Sequence, residues 1–377
     1  MVARRPSKRK SNGARAKRTV AKARTRAKSK PNSKTKAKAV PKRHRSRPVK
    51  LSISKAAPNL SYEEAILTNI MKQSNDANVP DEALLLSSTI SSMSGNINEM
   101  HHKAGISAGR SLYRIASAGR EYSSAEESVG DLAAFFQNAG YKNVTYSAFP
   151  DKVEIDVHGR KGARMGANLH TFEAGVISGF LSSSSHRFVP VAETACVHNG
   201  SERCRFATTA AIMGAKKANA RDGASLSRLI DHIADRAKNP NYYDQERRHS
   251  QVSGSYYAIA ASMLHENGSN ESMKNIATYI GSQIGAKLFS SYKPKRHTNH
   301  LVELAHTIKL LNLGNPVIES IDPFHMSVSF DELNSRKEFV DLSMAYINGL
   351  LSSGLNAKVT ATERNMDGSY LVDIREE

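Results

Sequence analysis

The chain has 377 residues, 54 Lys+Arg against 35 Asp+Glu, and a formal net charge of +19. No stretch approaches the roughly 18–20 apolar residues of a membrane-spanning helix, and the N-terminus lacks the apolar core of a secretory signal. Two cysteines rule out a disulfide framework and fit a reducing, intracellular compartment.

The charge is segregated. Met1 to Lys50 holds 21 Lys+Arg and no Asp or Glu, leaving 33 basic against 35 acidic residues, a net of −2, for the rest. The tail has no aromatic residue and few large apolar ones, so it buries too little surface to offset the entropy of ordering. It is expected to be disordered over residues 1–57. A mitochondrial-type transit peptide shares its Arg- and Ser-rich texture but needs an apolar face that is missing here.

From residue 58 the pattern becomes globular. Ser61 to Met71 predicts a helix, with Ser61 as N-cap and Glu64 three residues on. Asp81 to Met93, Gly105 to Ala116 and Ser124 to Ala139 predict three more. Val144 to Phe149 and Lys152 to Val157 predict strands about a Pro150-Asp151 turn. A helix is expected next over His170 to Ser183. A hairpin, Phe188 to Val197 with Arg203 to Thr208, turns at His198-Asn199-Gly200.

The same order then recurs at an offset of about 170–176 residues. Gly281/Gly285 echo Gly105/Gly109, Asn312-Leu313-Gly314 echoes Asn138-Ala139-Gly140, and Gly349-Leu350-Leu351-Ser352-Ser353 echoes Gly179-Phe180-Leu181-Ser182-Ser183. Glu193 and Glu363 each lie fourteen residues after those helix glycines. The expected organisation is a first α+β domain over 58–208, a helical connector over 209–236, and a second, degenerate copy over 237–377. The two domains, each helices on an antiparallel sheet, form a pseudo-dimer. The small-xxx-small glycines predict close helix packing rather than a ligand role.

The sharpest chemical signal is His170, Glu193, Cys196 and Cys204. One imidazole, one carboxylate and two thiols suit a borderline-soft cation such as zinc. The cysteines lie symmetrically about Gly200. Glu193 and Cys196, three apart, fall on opposite faces of a regular strand, so joint ligation needs a bulge near Ala195. The cysteines also fit buried small hydrophobes, a local disulfide or free thiols.

These residues resemble the 4-vinyl reductase domain family from about Ala104 to Thr208. The resemblance is carried by His170-Thr171-Phe172-Glu173-Ala174-Gly175, Gly179-Phe180-Leu181, Glu193-Thr194-Ala195-Cys196, Gly200 and Cys204-Arg205-Phe206. The family is related in fold to subunits of the TRAPP trafficking complex. Its sensor members, in phenol-responsive activators, hold zinc with Cys, Glu, Cys and Cys. His170 stands where the first Cys would, and histidine also ligates zinc. The resemblance thus implies one structural zinc per chain. The second copy has Val340, Met366 and Tyr370 near the other ligand positions, and only Glu363 remains, so apolar packing is expected there and no metal.

No Walker loop, dinucleotide fingerprint, G-x-S-x-G or HExxH occurs, and the family lends this chain no catalytic residue; no enzymatic activity is expected. The tail suits a polyanion read without sequence preference. Its candidate nucleic-acid contacts are Arg4, Arg5, Lys8, Arg9, Lys10, Lys17, Arg18, Arg24, Arg26, Lys42, Arg43, Arg45 and Arg47. The expected location is cytoplasmic and nucleic-acid-associated, or nuclear if the host has a nucleus. Two alternatives stand beside this reading. One is a sensor holding a small apolar ligand, with Tyr113, Phe135, Phe136 and Phe172 lining its pocket. The other is a TRAPP-like assembly scaffold, pairing with a second copy or another partner through its domain faces.

Overall fold

Ser61 opens the first helix as its spacing predicts. Glu64 N donates to Ser61 Oγ at 3.3 Å, and Ser61 N donates to Glu64 Oε2 at 3.1 Å, closing a capping box. This geometry comes from a computed structural model that describes residues 44–45, 61–72, 78–93, 95–119, 121–149, 152–158, 169–208, 223–238, 251–266, 270–293, 297–330, 337–366 and 369–377. Of the basic tail it describes the two-residue strand β1 (His44–Arg45), which pairs antiparallel with Tyr146 and Thr145. The expectation of a wholly disordered tail is therefore amended at this point. The remaining candidate tail contacts lie outside the described residues.

The body starts with α1 (Tyr62–Met71), β2 (Asn78–Pro80), α2 (Asp81–Met93), α3 (Gly95–Ser117) and α4 (Ala125–Asn138). Next come β3 (Lys142–Ala148), β4 (Val153–His158), α5 (Thr171–Ser185), β5 (Val191–Ala195) and β6 (Cys204–Thr208). The same ten-element order then repeats. Its members are α6 (Gly223–Ala237), β7 (Gln251–Ser253), α7 (Gly254–Glu266), α8 (Glu271–Phe289), α9 (His297–Leu310), β8 (Asn315–Ile321), β9 (Phe324–Ser329), α10 (Lys337–Leu355), β10 (Val359–Met366) and β11 (Ser369–Glu376). The class is α+β. Two antiparallel sheets, β3-β4-β6-β5 with β1 on its edge and β10-β11-β9-β8, each carry helices.

The segment expected as a connector supplies α6. It packs on α8 as α1 packs on α3, so it stands where the first helix of a repeat belongs. β2 and β7 form a two-stranded sheet in which Asn78 pairs with Ser253, Val79 with Val252 and Pro80 with Gln251. Val79 and Val252 occupy the same place in the two repeats and pair with each other. That is the mark of an isologous contact about a local two-fold axis.

The cores interlock. The first gathers Phe135, Phe136, Phe172 and Phe180 with Tyr256, Tyr257 and Ala260 of α7. The second gathers Ile280, Leu304, Ile347 and Leu351 with Leu85, Leu86 and Ile90 of α2. Each repeat thus completes the other's core, and residues 42–377 form one compact unit.

Small residues bring the central helices together, but in a different register from the sequence match. A Cβ on Gly109 would run into the Val176 carbonyl, and one on Gly281 into that of Tyr346. Val176 and Tyr346 each lie three residues before the matched glycines Gly179 and Gly349. Gly281 therefore corresponds to Gly109, one helical turn from the alignment with Gly105. A similar shift occurs at the helix ends. Tyr141 N donates to Phe136 O, and Leu313 N to Ile308 O, both at 3.0 Å. Gly140 and Asn312 precede these donors with φ of 104° and 54°. Asn312, not Gly314, fills the left-handed position, which asparagine tolerates better than most residues.

Candidate metal centre

On β5, Glu193 pairs with Phe206, and the next pairing is Ala195 with Arg205. These partners are adjacent on β6 but two apart on β5, so Thr194 is the extra residue of a bulge. One inserted residue reverses the facing of every residue beyond it. Glu193 and Cys196 thereby reach the same side, and the kink required near Ala195 is found. Beyond it, Cys196 O accepts N–H groups from Asn199 and Ser201 at 3.0 Å each, and Gly200 closes the turn with φ 93°. The strand then returns through Cys204.

His170 sits at the N-cap of α5, across from this hairpin. Its Nδ1 lies 2.7 Å from Glu193 Oε1 and 3.5 Å from Cys196 Sγ, and its backbone N donates to Glu193 Oε2 at 3.2 Å. Cys204 Sγ accepts from Val197 N at 3.5 Å. One ligand atom from each of His170, Glu193, Cys196 and Cys204 lies within 4.8 Å of all the others. Both cysteines are buried and free, which removes the disulfide alternative. The His198 ring, 5.5 Å away and tilted by 31°, and the Phe206 edge at 6.2 Å wall the imidazole.

Electrostatics agree with a set of converging donors. Burial disfavours the His170 imidazolium, yet the Glu193 carboxylate and the cysteine sulfurs beside it outweigh this and hold its pKa well above normal. Burial likewise opposes ionisation of Glu193, and His170 outweighs it, holding that carboxyl low. A hydrogen bond from Cys196, ahead of opposing burial, brings the Cys204 thiol down to about 6, while Cys196 is pushed up. Without a metal the cluster thus keeps protons on His170 and Cys196. With a metal, two thiolates, one carboxylate and one neutral imidazole would fill a four-coordinate set.

Residues 152–210 match the V4R domain. This V4R segment runs from β4 through all four cluster residues and ends just past β6. Neither a curated protein nor a solved structure matches the chain. The V4R match lies wholly within the first repeat. In the second, Val340 is buried core and Glu363 is exposed, while the side chains at Met366 and Tyr370 lie outside the described residues.

Several groups near the V4R segment escaped the sequence reading. Asp156 on β4 is buried beneath Arg203 and Arg205, at 2.9 and 2.7 Å, which braces the β4–β6 pair. Glu173, one turn into α5 from His170, accepts from Tyr141 Oη at 2.5 Å and Tyr256 Oη at 2.9 Å. Tyr256 comes from α7, so this buried carboxylate joins the two repeats. In the second repeat, His325 lies 3.0 Å from Glu319 and 3.7 Å from Asp373, and Arg364 pairs with Asp373 at 2.8 Å. Glu319, His325 and Asp373 are a further group of ligand-type atoms, drawn from three strands. No local spacing announces any of these contacts.

The residues proposed for a ligand pocket belong to the packed interior of the first repeat. Phe135, Phe136 and Phe172 are fully buried core, and Tyr113 packs between Tyr122 and Phe180. None of the four lines the cleft of about 680 Å³ that opens at the far end of α5.

Proposed function

We propose that the chain is a non-enzymatic binding protein, with two V4R-like repeats paired into one body, a structural zinc in the first, and a basic tail that tethers the body to DNA or RNA. The observation that carries the zinc reading is the buried convergence of His170, Glu193, Cys196 and Cys204. Four protein donors leave no open position for catalysis, so the metal's role is to lock the β5–β6 hairpin to α5. The nucleic-acid reading is supported by 21 cations, unopposed by any acid, ahead of a nearly neutral body.

The test is zinc content and nucleic-acid binding of purified full-length protein. About one zinc per chain is expected by mass spectrometry. Gel-shift affinity should fall steeply with added salt, with a slope near −0.9 per phosphate contacted. A chain lacking residues 1–43, which keeps β1, should lose this affinity. Unchanged affinity would refute the tether.

A second reading is favoured by the 680 Å³ cleft: the body also senses a small ligand, as its resemblance to sensor domains suggests.

A further inference from the structure

The cleft lies at the end of α5 and β5 opposite His170 and Cys196. Its apolar wall includes Tyr122, Phe149, Val153, Leu181 and Phe188, the last 68% exposed at the rim. Its volume suits a small organic ligand.

The polar lining is rich in donors. Ser124 Oγ accepts from Glu127 N at 3.1 Å, and Thr208 Oγ1 accepts from Val153 N at 2.9 Å. Each hydroxyl therefore has its own proton left to give. Lys152 spends one donor on Glu154 at 2.7 Å and has two more, and Arg187 adds a guanidinium. Among the described residues, the lining contains these two cations and no carboxylate.

The fold itself does not require the opening. Ser128 and Ser184 line the cleft. Ser128 lies eight residues before Phe136, and His300 eight before the matched Ile308; Ser184 and Gly354 each lie five after the matched glycines. In the second repeat, His300 Nε2 reaches Gly354 O at 2.6 Å, and its ring packs 5.0 Å from Tyr292. An imidazole bridges there what the small Ser128 leaves open in the first repeat.

We propose that this cleft binds a small amphiphile with a carboxylate head, the head held by Arg187, Lys152 and the Ser124 and Thr208 hydroxyls, and the apolar body by the Tyr122, Phe149 and Leu181 wall. This deepens the second reading above by naming the ligand class and its seat, and it is independent of the metal and the tail.

The experiment is calorimetric titration of the full chain with decanoate and, separately, decan-1-ol, both below aggregation. One decanoate per chain is expected, bound at least about tenfold more tightly than the alcohol. The surface double variant K152A/R187A should lose that preference while still binding decanol. Ser128→His, copying the second repeat, should abolish binding of both with the melting temperature retained. A decanol affinity equal to that for decanoate overturns the anionic class while sparing a sensor of apolar ligands. Undiminished decanoate binding by the double variant also overturns the proposal, and no binding of either compound overturns it together with the sensor reading.

Discussion

Glu193 on β5 and Cys196 just past its end, three residues apart, face the same buried cluster because Thr194 between them is skipped in the strand pairing with β6. Inserting an alanine after Thr194 adds one residue between Glu193 and Cys196 and turns Cys196 to the opposite face. Zinc should fall from about one per chain to a small fraction of that in the insertion variant, as it should for Cys204→Ser. Thr194→Ala keeps the bulge and should keep the metal. Mass spectrometry of the three variants checks this, and normal zinc in the insertion variant would show that the facing of Cys196 does not matter.

The pH response should differ between metal-free and zinc-loaded protein. Burial works against the His170 charge, but Glu193 outweighs it and raises the pKa. The stability this pair lends is complete below the ordinary histidine value of about 6.5 and is lost as pH rises through the raised one. Glu193 is lowered, so its share is present above about pH 4.5 and lost as pH falls through the depressed value. Protein in EDTA should therefore lose the His170 share as pH rises above about 6.5 while the lowered Cys204 thiol, ionising from about pH 6, offsets that loss, so its melting temperature should not rise from pH 6.5 to 8.5. Zinc-loaded protein should gain stability over the same rise, because the ligands must shed protons. Parallel melting profiles would refute the assignment.

Gly109 and Gly119 separate steric from conformational demands on glycine. A Cβ at Gly109 collides with the Val176 backbone carbonyl, which cannot swing aside. Gly109→Ala should cost about 3 kcal/mol or more by forcing α3 and α5 apart. Gly119 has φ of 80° and open space around it, so Gly119→Ala should cost only about 1–2 kcal/mol. Urea melts of both variants check the ranking.

The interlocked cores predict that the repeats do not separate when the chain is cut. A protease site inserted within residues 209–222 should yield two fragments that co-elute on size exclusion, because Tyr256 and Tyr257 lie in the first core and Leu85 and Leu86 in the second. Dissociation without denaturant would mean that each repeat folds independently.

Much of this protein is determined locally, and the sequence shows it. The Ser61 capping box, the Asp81–Met93 helix and the turn at Gly200 arise from residue type and spacing, because capping and left-handed backbone are satisfied within a few residues. The order of the two repeats and the four cluster residues were also legible. Only tertiary structure decided what depends on the far partner. It made Gly281 the counterpart of Gly109, made α6 part of a repeat rather than a connector, paired Val79 with Val252, and buried Glu173 beneath a tyrosine from the other half. It also placed the aromatic residues proposed for a pocket in the core and opened the cleft where Ser128 stands in place of a bridging histidine. Helix register and burial are settled by the surface that packs against a segment, and that surface comes from residues distant in the chain.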